Sequence, residues 1–220
     1  MKKAKIPNIL TIFRIFLIVP IVILLTVNTT KIYSISFIFL NDSIQIDISI
    51  GLMVAGVLFI ISATTDWLDG YLARRWKVIS DWGKLWDPLA DKVLINSVLI
   101  IFAVKGYLHF IVVIIFIVRD IFIDGLRMFA ASKNVLISAS TYGKLKTIFQ
   151  IIACCLTFFI FALPINLVTT IGSQVWYWSI QMLFYWISLL FSISSCLIYF
   201  VKTWKSIKTK QENLSNIANK

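Results

Sequence analysis

Aspartates are concentrated in one short stretch of this sequence. The chain has ten acidic residues among 220, yet five of them lie between positions 66 and 91: Asp66, Asp69, Asp81, Asp87 and Asp91. Asp66 and Asp69 are spaced i,i+3, and Asp87 and Asp91 are spaced i,i+4. On a helix, either spacing places both carboxylates on one face. Two neighbouring helices would therefore present four facing carboxylates.

Carboxylates this close repel one another unless a cation or a basic partner compensates them. The stretch contains no histidine or cysteine, so all ligands would be oxygen atoms, which favours Mg²⁺ or Mn²⁺. Mg²⁺ is usually shared between carboxylates and substrate phosphates, which implies a phosphate-bearing substrate. Four carboxylates can hold two ions about 3.5–4 Å apart, an arrangement that supports in-line displacement at phosphorus. The alternative is that the aspartates only pair with basic residues of a solvated loop.

The rest of the chain indicates where such a site would lie. Hydrophobic residues make up 60% of the sequence and charged residues 14%, with a mean hydropathy of +0.91, whereas soluble chains are about 45–50% apolar. This predicts an all-α integral membrane protein and excludes a water-soluble core. We predict six membrane-spanning helices, at approximately residues 8–28, 48–70, 88–104, 108–130, 147–168 and 178–201.

These helices would form one membrane domain over residues 1–201, followed by a polar basic tail over 202–220 that frays into solvent. Residues 29–47 are expected to form an outside loop. With the N-terminus inside, 17 of the 21 lysines and arginines fall on the inner side, so both termini and the aspartates are predicted to be cytoplasmic. This topology also accounts for the net charge of +11, and we expect no nucleic-acid partner because the basic residues are not interleaved with aromatics on a soluble domain.

The cysteines and the histidine exclude other chemistries. Cys154, Cys155 and Cys196 all lie in apolar segments, so they are interpreted as small hydrophobic residues. His109 is the single histidine, which excludes a histidine-rich zinc site and argues against a histidine-based catalytic triad.

The aspartates belong to a longer pattern that fixes eight identities over 26 positions: Asp66-x-x-Asp69-Gly70-x-x-Ala73-Arg74, eight residues, then Gly83-x-x-x-Asp87-x-x-x-Asp91. This pattern resembles the signature of the CDP-alcohol phosphotransferases at every position. The resemblance implies six helices around a polar cavity open to the cytoplasm. It also implies transfer of a substituted phosphate from a CDP-alcohol to an acceptor hydroxyl, with release of CMP, and commonly a homodimer.

The same resemblance implies roles for the signature residues. Asp66, Asp69 and Asp87 would bind two metal ions, and Asp91 would complete the metal site and take the proton from the acceptor hydroxyl. The remaining signature residues would line the cytidine diphosphate site: Gly70, Ala73, Arg74 and Gly83.

Further segments resemble the phosphatidylglycerophosphate synthases of that family: Ile6–Thr11 with Arg14, Asp87–Lys92, Arg119-Asp120, Gly125–Arg127 and Gly143–Lys146. This resemblance implies CDP-diacylglycerol and sn-glycerol 3-phosphate as substrates, used at the cytoplasmic leaflet among membrane lipids. Glutamate commonly follows the first arginine in that subfamily, so Asp120 is a departure that keeps the charge and shortens the side chain.

Arg119 is the most informative of these residues. An arginine within a span is costly and usually faces a cavity or a partner, so we expect it to point inward. With Arg127, Lys144 and Lys146 it could form a cationic pocket for the acceptor phosphate. The alternative is that the other three only follow the positive-inside rule. Arg14 either snorkels or faces the cavity, and its role stays open at this point.

Other functions compete with this interpretation. Within the family, the acceptor could instead be that of a cardiolipin, phosphatidylserine or phosphatidylinositol phosphate synthase. Membrane prenyltransferases also use aspartate-rich metal motifs, but they lack Gly70-x-x-Ala73-Arg74 at this spacing. A cation transporter or structural protein is less consistent, because carboxylates on a transport path are expected nearer the middle of the membrane.

Overall fold

The computed structural model describes the backbone of residues 5–27, 31–39, 42–76, 81–133, 135, 141–160 and 175–218, and the side chains of 11–27, 49–66, 75, 89–133, 135, 141–160, 182–210 and 212. The chain forms two compact units. Unit 1 comprises Met1–Phe110 and Ala153–Gln181, and unit 2 comprises Ile111–Ile152 and Met182–Lys220. The boundaries between the units therefore fall within three of the helices.

Within the described ranges there are six helices: α1 (Lys5–Thr26), α2 (Ile50–Trp76), α3 (Asp81–Val104), α4 (Phe110–Ser132), α5 (Thr141–Phe159) and α6 (Val175–Ala218). Each predicted span overlaps one of them. The fifth helix begins at Thr141 rather than at 147, and the predicted end of that span, at 168, lies outside the described residues.

The helical architecture is confirmed, but the segment expected to be an outside loop contains a β-hairpin. Strands β1 (Lys31–Phe39) and β2 (Asp42–Ser49) pair antiparallel, with Tyr33 opposite Ile48 and Phe39 opposite Asp42. The reason is the sequence of β2, in which isoleucine alternates with polar residues over 44–49. Alternation with period two and β-branched residues favour a strand.

Local capping explains how the hairpin leads into α2 and how α3 ends. The hydroxyl of Ser49 accepts a hydrogen bond from the backbone N–H of Leu52 at 3.2 Å, which satisfies one of the free donors at the start of α2. After α3, Gly106 adopts a φ of 76°, a left-handed conformation that glycine reaches without steric cost. The backbone N–H of Tyr107 then bonds to the carbonyl of Phe102 at 2.8 Å, and the helix stops there.

The core of unit 1 is built where α1 packs against α2 and α3. An aromatic cluster from three helices closes part of it. The ring centroid of Phe158 lies 5.5 Å from that of Phe59 and 4.9 Å from that of Phe102. Gly56 makes this approach possible, since a Cβ placed on it would meet Cβ of Phe158 at 2.8 Å. A bulkier residue at position 56 would separate α2 from the end of α5.

The basic tail is also different from expectation. Helix α6 continues to Ala218, so the prediction that residues after 201 fray into solvent is wrong for 202–218. Neither glycine nor proline interrupts the segment, and Thr203 and Ile207, one turn apart, are both buried. Packing of one face of a helix is the usual source of its stability.

The outer surface of the helices is apolar. Every helix exposes large hydrophobic side chains; Phe16 is 70% exposed, Met128 73% and Leu190 65%. Soluble proteins rarely expose large apolar patches, and exposure of large hydrophobic side chains on every helix is typical of a surface that faces lipid. By length and composition, two helical stretches among the described residues could cross a membrane, Thr141–Phe159 and Met182–Lys210. Shorter apolar stretches cover Thr11–Thr26 and Ile50–Asp66.

Candidate active site

The four signature aspartates lie on two helices of unit 1. Asp66 and Asp69 lie on α2, and Asp87 and Asp91 lie on α3. The Asp66 and Asp91 side chains are half-buried. The side chains of the remaining signature residues lie outside the described set: Asp69, Gly70, Ala73, Arg74, Gly83 and Asp87. The backbone therefore provides the helical spacing that presents each pair on one face.

Asp66 is held by a buried arginine from the first helix. Nη1 of Arg14 donates a hydrogen bond to Oδ1 of Asp66 at 2.5 Å. The Arg14 side chain is fully buried, whereas the Asp66 side chain is 41% exposed. The two residues are 52 positions apart in the sequence, and α1 places the guanidinium beside α2. A guanidinium that is fully buried and paired contradicts the snorkelling alternative for Arg14, and the alternative that it faces the cavity stays a prediction.

The described part of the site fits a hard divalent cation in its chemistry. Asp66 contributes a carboxylate that is partly accessible, and the ligand set proposed by the signature contains only oxygen, as Mg²⁺ and Mn²⁺ prefer. No group of three or more potential ligands is found among the described side chains. Two of the four aspartates are not part of that set, so the metal ligands stay a prediction.

A second polar centre lies in unit 2, around Arg119. Its Nε donates to the carbonyl oxygen of Ser192 at 3.1 Å, and its Nη2 donates to the hydroxyl of Ser195. Nη1 donates to Oδ1 of Asp120 at 2.8 Å. All three nitrogens of the guanidinium thus have acceptors, and the side chain is only 12% exposed. The expectation that Arg119 points inward from its helix is confirmed.

Asp120 joins Arg119 to a lysine of α5. Nζ of Lys146 lies 3.0 Å from Oδ1 and 2.8 Å from Oδ2 of Asp120. Lys146 is also buried, with Nζ 5.4 Å from the centroid of the Phe116 ring. The hydroxyl of Ser188 donates to the Lys146 carbonyl at 2.9 Å, which ties α6 to the same turn of α5.

In this cluster two cations share one carboxylate, and all three side chains are nearly excluded from solvent. Buried charges persist when they are paired and hydrogen-bonded. The shorter side chain of Asp120 still reaches both cations.

The four residues predicted to bind the acceptor phosphate separate into two pairs. Arg119 and Lys146 come together through Asp120. Lys144 is exposed, because residues two positions apart on a helix point to opposite sides. Arg127 is also exposed, and its guanidinium carbon lies 5.6 Å from the centroid of the Tyr199 ring, a cation–π arrangement.

Sequence reasoning missed several polar residues of this centre. Ser192 and Ser195 on α6 had no assigned role, and neither did Gln150, which follows Lys146 by one turn on α5. Gln150 is fully buried, and neither end of its amide has a hydrogen-bond partner among the described residues. A signal was present, since serines recur at 188, 192 and 195 along an otherwise apolar helix, a spacing that places them on one face.

Comparison with known proteins identifies the family of this chain. The sequence model of the CDP-alcohol phosphatidyltransferase family matches residues 4–194. The chain is 43% identical to a Mycoplasma pneumoniae protein over 206 residues, covering 94% of this chain and 90% of that protein. It is 38% identical to a Mycoplasma genitalium protein, covering 96% and 89%, and 36% identical to a Bacillus subtilis protein, covering 71% and 77%.

All three relatives are named CDP-diacylglycerol–glycerol-3-phosphate 3-phosphatidyltransferase. The family match includes both signature helices and the buried cations of unit 2, and it covers most of the chain. The chain therefore belongs to the CDP-alcohol phosphatidyltransferase family, and it is an enzyme of that family.

Proposed function

We propose that this enzyme transfers the phosphatidyl group of CDP-diacylglycerol to sn-glycerol 3-phosphate, giving phosphatidylglycerophosphate and CMP. The observation that carries the proposal is the similarity to relatives of that one name, which reaches 43% identity over 94% of the chain. The intact signature from Asp66 to Asp91 accounts for the transfer chemistry, and the buried cations of unit 2 account for an anionic acceptor.

The reaction exchanges one bond at phosphorus. The acceptor hydroxyl oxygen forms a bond to the phosphorus that carries diacylglycerol, the phosphoanhydride bond to the cytidylate breaks, and CMP leaves with the bonding electrons. Asp91 takes the proton of the acceptor hydroxyl, a role that a half-buried carboxylate can fill. Gly70, Ala73, Arg74 and Gly83 line the cytidine diphosphate site.

Asp66, Asp69, Asp87 and Asp91 would hold two divalent cations, Mg²⁺ or Mn²⁺. When bound, such ions neutralise charge that develops on the phosphoryl oxygens. Arg14 keeps the Asp66 carboxylate in place through Oδ1.

Arg119 and Lys146 bind the phosphate of the acceptor. Both are buried cations that share the Asp120 carboxylate, and a guanidinium presents paired donors to phosphate. Arg127 and Lys144 are exposed and contribute longer-range attraction, which screening by salt weakens.

The enzyme lies in the cell membrane as a multi-pass protein. In the proposed topology all six helices are spans, both termini and the aspartates are cytoplasmic, and the lipid tails of the donor enter sideways from the bilayer. The apolar outer surface of the helices and the inward bias of the basic residues support this arrangement. A homodimer and a polar cavity open to the cytoplasm also belong to the proposal.

The decisive experiment measures CMP release from CDP-diacylglycerol by purified protein in detergent. Four acceptors are compared: glycerol 3-phosphate, phosphatidylglycerol, serine and inositol phosphate. We expect release only with glycerol 3-phosphate, in Mg²⁺ or Mn²⁺, and loss of release in excess chelator. Release with another acceptor instead would overturn the assigned acceptor and leave the family chemistry intact. Release that is insensitive to chelator would overturn the metal site.

A further inference from the structure

Arg14 is a fully buried cation in the first helix of unit 1, and the transfer chemistry does not require it directly. Its side chain has 0% exposure, the lowest of any charged side chain among the described residues. Thr11, one turn earlier, and Ile18, one turn later, are buried too. The guanidinium is therefore enclosed on the inner face of α1.

Burial at this place is costly unless a charged partner compensates it. An arginine cannot lose its proton to avoid the cost, so the charge stays and must be paired. One such pairing, between described side chains, is the 2.5 Å hydrogen bond to Oδ1 of Asp66. Breaking such a pair by removing one partner usually leaves an uncompensated charge.

The two partners differ in how firmly they are held. The Arg14 side chain is fully buried on α1, whereas the Asp66 side chain that it contacts is 41% exposed. A carboxylate that is exposed on a helix samples several rotamers. The enclosed guanidinium therefore fixes the half-buried carboxylate, and the reverse does not hold.

The position of α1 relates this bond to both helices of the proposed metal site. Helix α1 packs against both α2 and α3, which are the two helices that carry the signature aspartates. The bond that the structure describes between Arg14 and Asp66 engages Oδ1. A carboxylate can accept at both oxygens, so Oδ2 can serve as the ligand of a cation.

We propose that Arg14 is a positioning residue that holds the Asp66 carboxylate through Oδ1 and so presents Oδ2 to a divalent cation. This inference rests on the proposed function, in that it takes Asp66 as a metal ligand. Residues that orient metal ligands from outside the ligand set typically change metal affinity ten- to a hundred-fold when they are mutated. Arg14 would act in this way from a different helix.

An opposite effect of Arg14 is also conceivable on physical grounds. A positive charge close to a metal site repels the metal, so removing it could raise the affinity. The two effects have opposite signs, and a binding measurement separates them. We expect positioning to dominate, because the guanidinium is already neutralised by the carboxylate that it holds.

The test measures binding of Mn²⁺ alone to purified protein in detergent, from the electron paramagnetic resonance signal of free Mn²⁺, without either substrate. The variants are Arg14→Met, which removes the donors and the charge, and Arg14→Lys, which keeps a charged donor. Arg75→Met is the matched control, since Arg75 is exposed on α2. We expect affinity to fall ten- to a hundred-fold in Arg14→Met, less in Arg14→Lys, and not at all in Arg75→Met.

A double-mutant cycle tests whether the effect passes through Asp66. In an Asp66→Asn background, Arg14→Met should change Mn²⁺ affinity by less than about threefold, since the side chain through which it acts is no longer a ligand. A full effect in that background would overturn the proposal. So would unchanged or increased affinity in Arg14→Met alone.

Thermal unfolding without Mn²⁺ shows whether each variant is folded. If Arg14→Met does not fold, Arg14→Lys carries the test, and wild-type affinity in that variant would overturn the role of Arg14. Wild-type protein that binds no Mn²⁺ would also overturn it. Wild-type protein that binds Mn²⁺ and releases CMP, with variants that bind equally well, would remove the role of Arg14 and leave the proposed function standing.

Discussion

The carboxylate of Asp120 binds two cations at once. Nη1 of Arg119 lies 2.8 Å from Oδ1, and Nζ of Lys146 lies 2.8 Å from Oδ2. Without this carboxylate, two positive charges would be left close together with little access to water. Asp120 therefore allows the side chains of Arg119 and Lys146 to lie close together.

Asp120→Asn should destabilise the protein strongly. The substitution keeps the size of the side chain and removes the charge that two buried cations share, and leaving such charges unpaired costs about 3–5 kcal/mol. We expect a clear fall in unfolding temperature, measured in detergent by tryptophan fluorescence. Adding Lys146→Met to Asp120→Asn should recover part of the loss, because one unpaired cation is removed.

Glu212→Gln serves as the control for that loss. Glu212 and its partner Lys208 are both exposed, with 4.0 Å between their charged atoms. Exposed pairs contribute little to stability, so the unfolding temperature should stay close to that of the wild type. An equal fall in both variants would mean that burial of the Asp120 network has no energetic consequence.

Arg119→Ala should weaken binding of the acceptor far more than binding of the donor. If the guanidinium binds the acceptor phosphate, the KM for glycerol 3-phosphate should rise about ten- to a hundred-fold, as expected for lost hydrogen bonds to a charged group. The KM for CDP-diacylglycerol should change little. Steady-state kinetics with each substrate varied in turn provide the comparison, and equal increases in both would indicate a purely structural role.

Lys146→Met and Lys144→Met form a matched pair for the same question. The two lysines are two positions apart on α5, yet Lys146 is buried against Asp120 and Lys144 is exposed. We expect the KM for glycerol 3-phosphate to rise much more in Lys146→Met. The opposite order would place the acceptor on the exposed side of α5.

Asp91→Asn should lower kcat about a hundred- to ten-thousand-fold, the usual contribution of a positioned general base. The amide cannot take the proton of the acceptor hydroxyl. CMP release is the measurement, and retained binding of the cytidine nucleotide would show that the variant is folded. Turnover close to that of the wild type would remove Asp91 from the role of base.

Gly56→Ala should destabilise unit 1, because the added Cβ would lie 2.8 Å from Cβ of Phe158 and 2.9 Å from Cζ of Phe159. Overpacking of this kind costs about 1–3 kcal/mol. Gly125→Ala is the matched control, since nothing lies within 4 Å of its added Cβ and alanine favours a helix over glycine. The unfolding temperature should therefore fall in Gly56→Ala and stay equal or rise in Gly125→Ala.

The positions of the helices could be predicted from hydrophobicity, because an apolar stretch of sufficient length leaves few alternatives in a membrane. The hairpin over 31–49 was missed because strand alternation is a weak signal within apolar sequence. The helical tail was missed because its polar composition indicates solvent, whereas burial of Thr203 and Ile207 depends on tertiary packing that no local pattern reveals.

The site was predictable to the extent that its residues are close in sequence. The spacing of Asp66 to Asp91 indicates the chemistry directly. The bond between Arg14 and Asp66 joins positions 52 apart, and the bond from Arg119 to Ser195 joins positions 76 apart. Such hydrogen bonds depend on which helices pack together, and local sequence patterns do not reveal which helices do so.

Helix α6 is 44 residues long, or about 66 Å at roughly 1.5 Å per residue, more than twice the bilayer's hydrocarbon thickness of about 30 Å. In the proposed topology its lysines begin at the cytoplasmic surface with Lys202, seven positions after Ser195. Arg119, bound to Ser195, would then lie about 10 Å below that surface. If both the topology and the acceptor site at Arg119 hold, a doubly charged acceptor would descend this far below the headgroups along a hydrated route, and a thicker bilayer that draws α6 inward would lengthen that route.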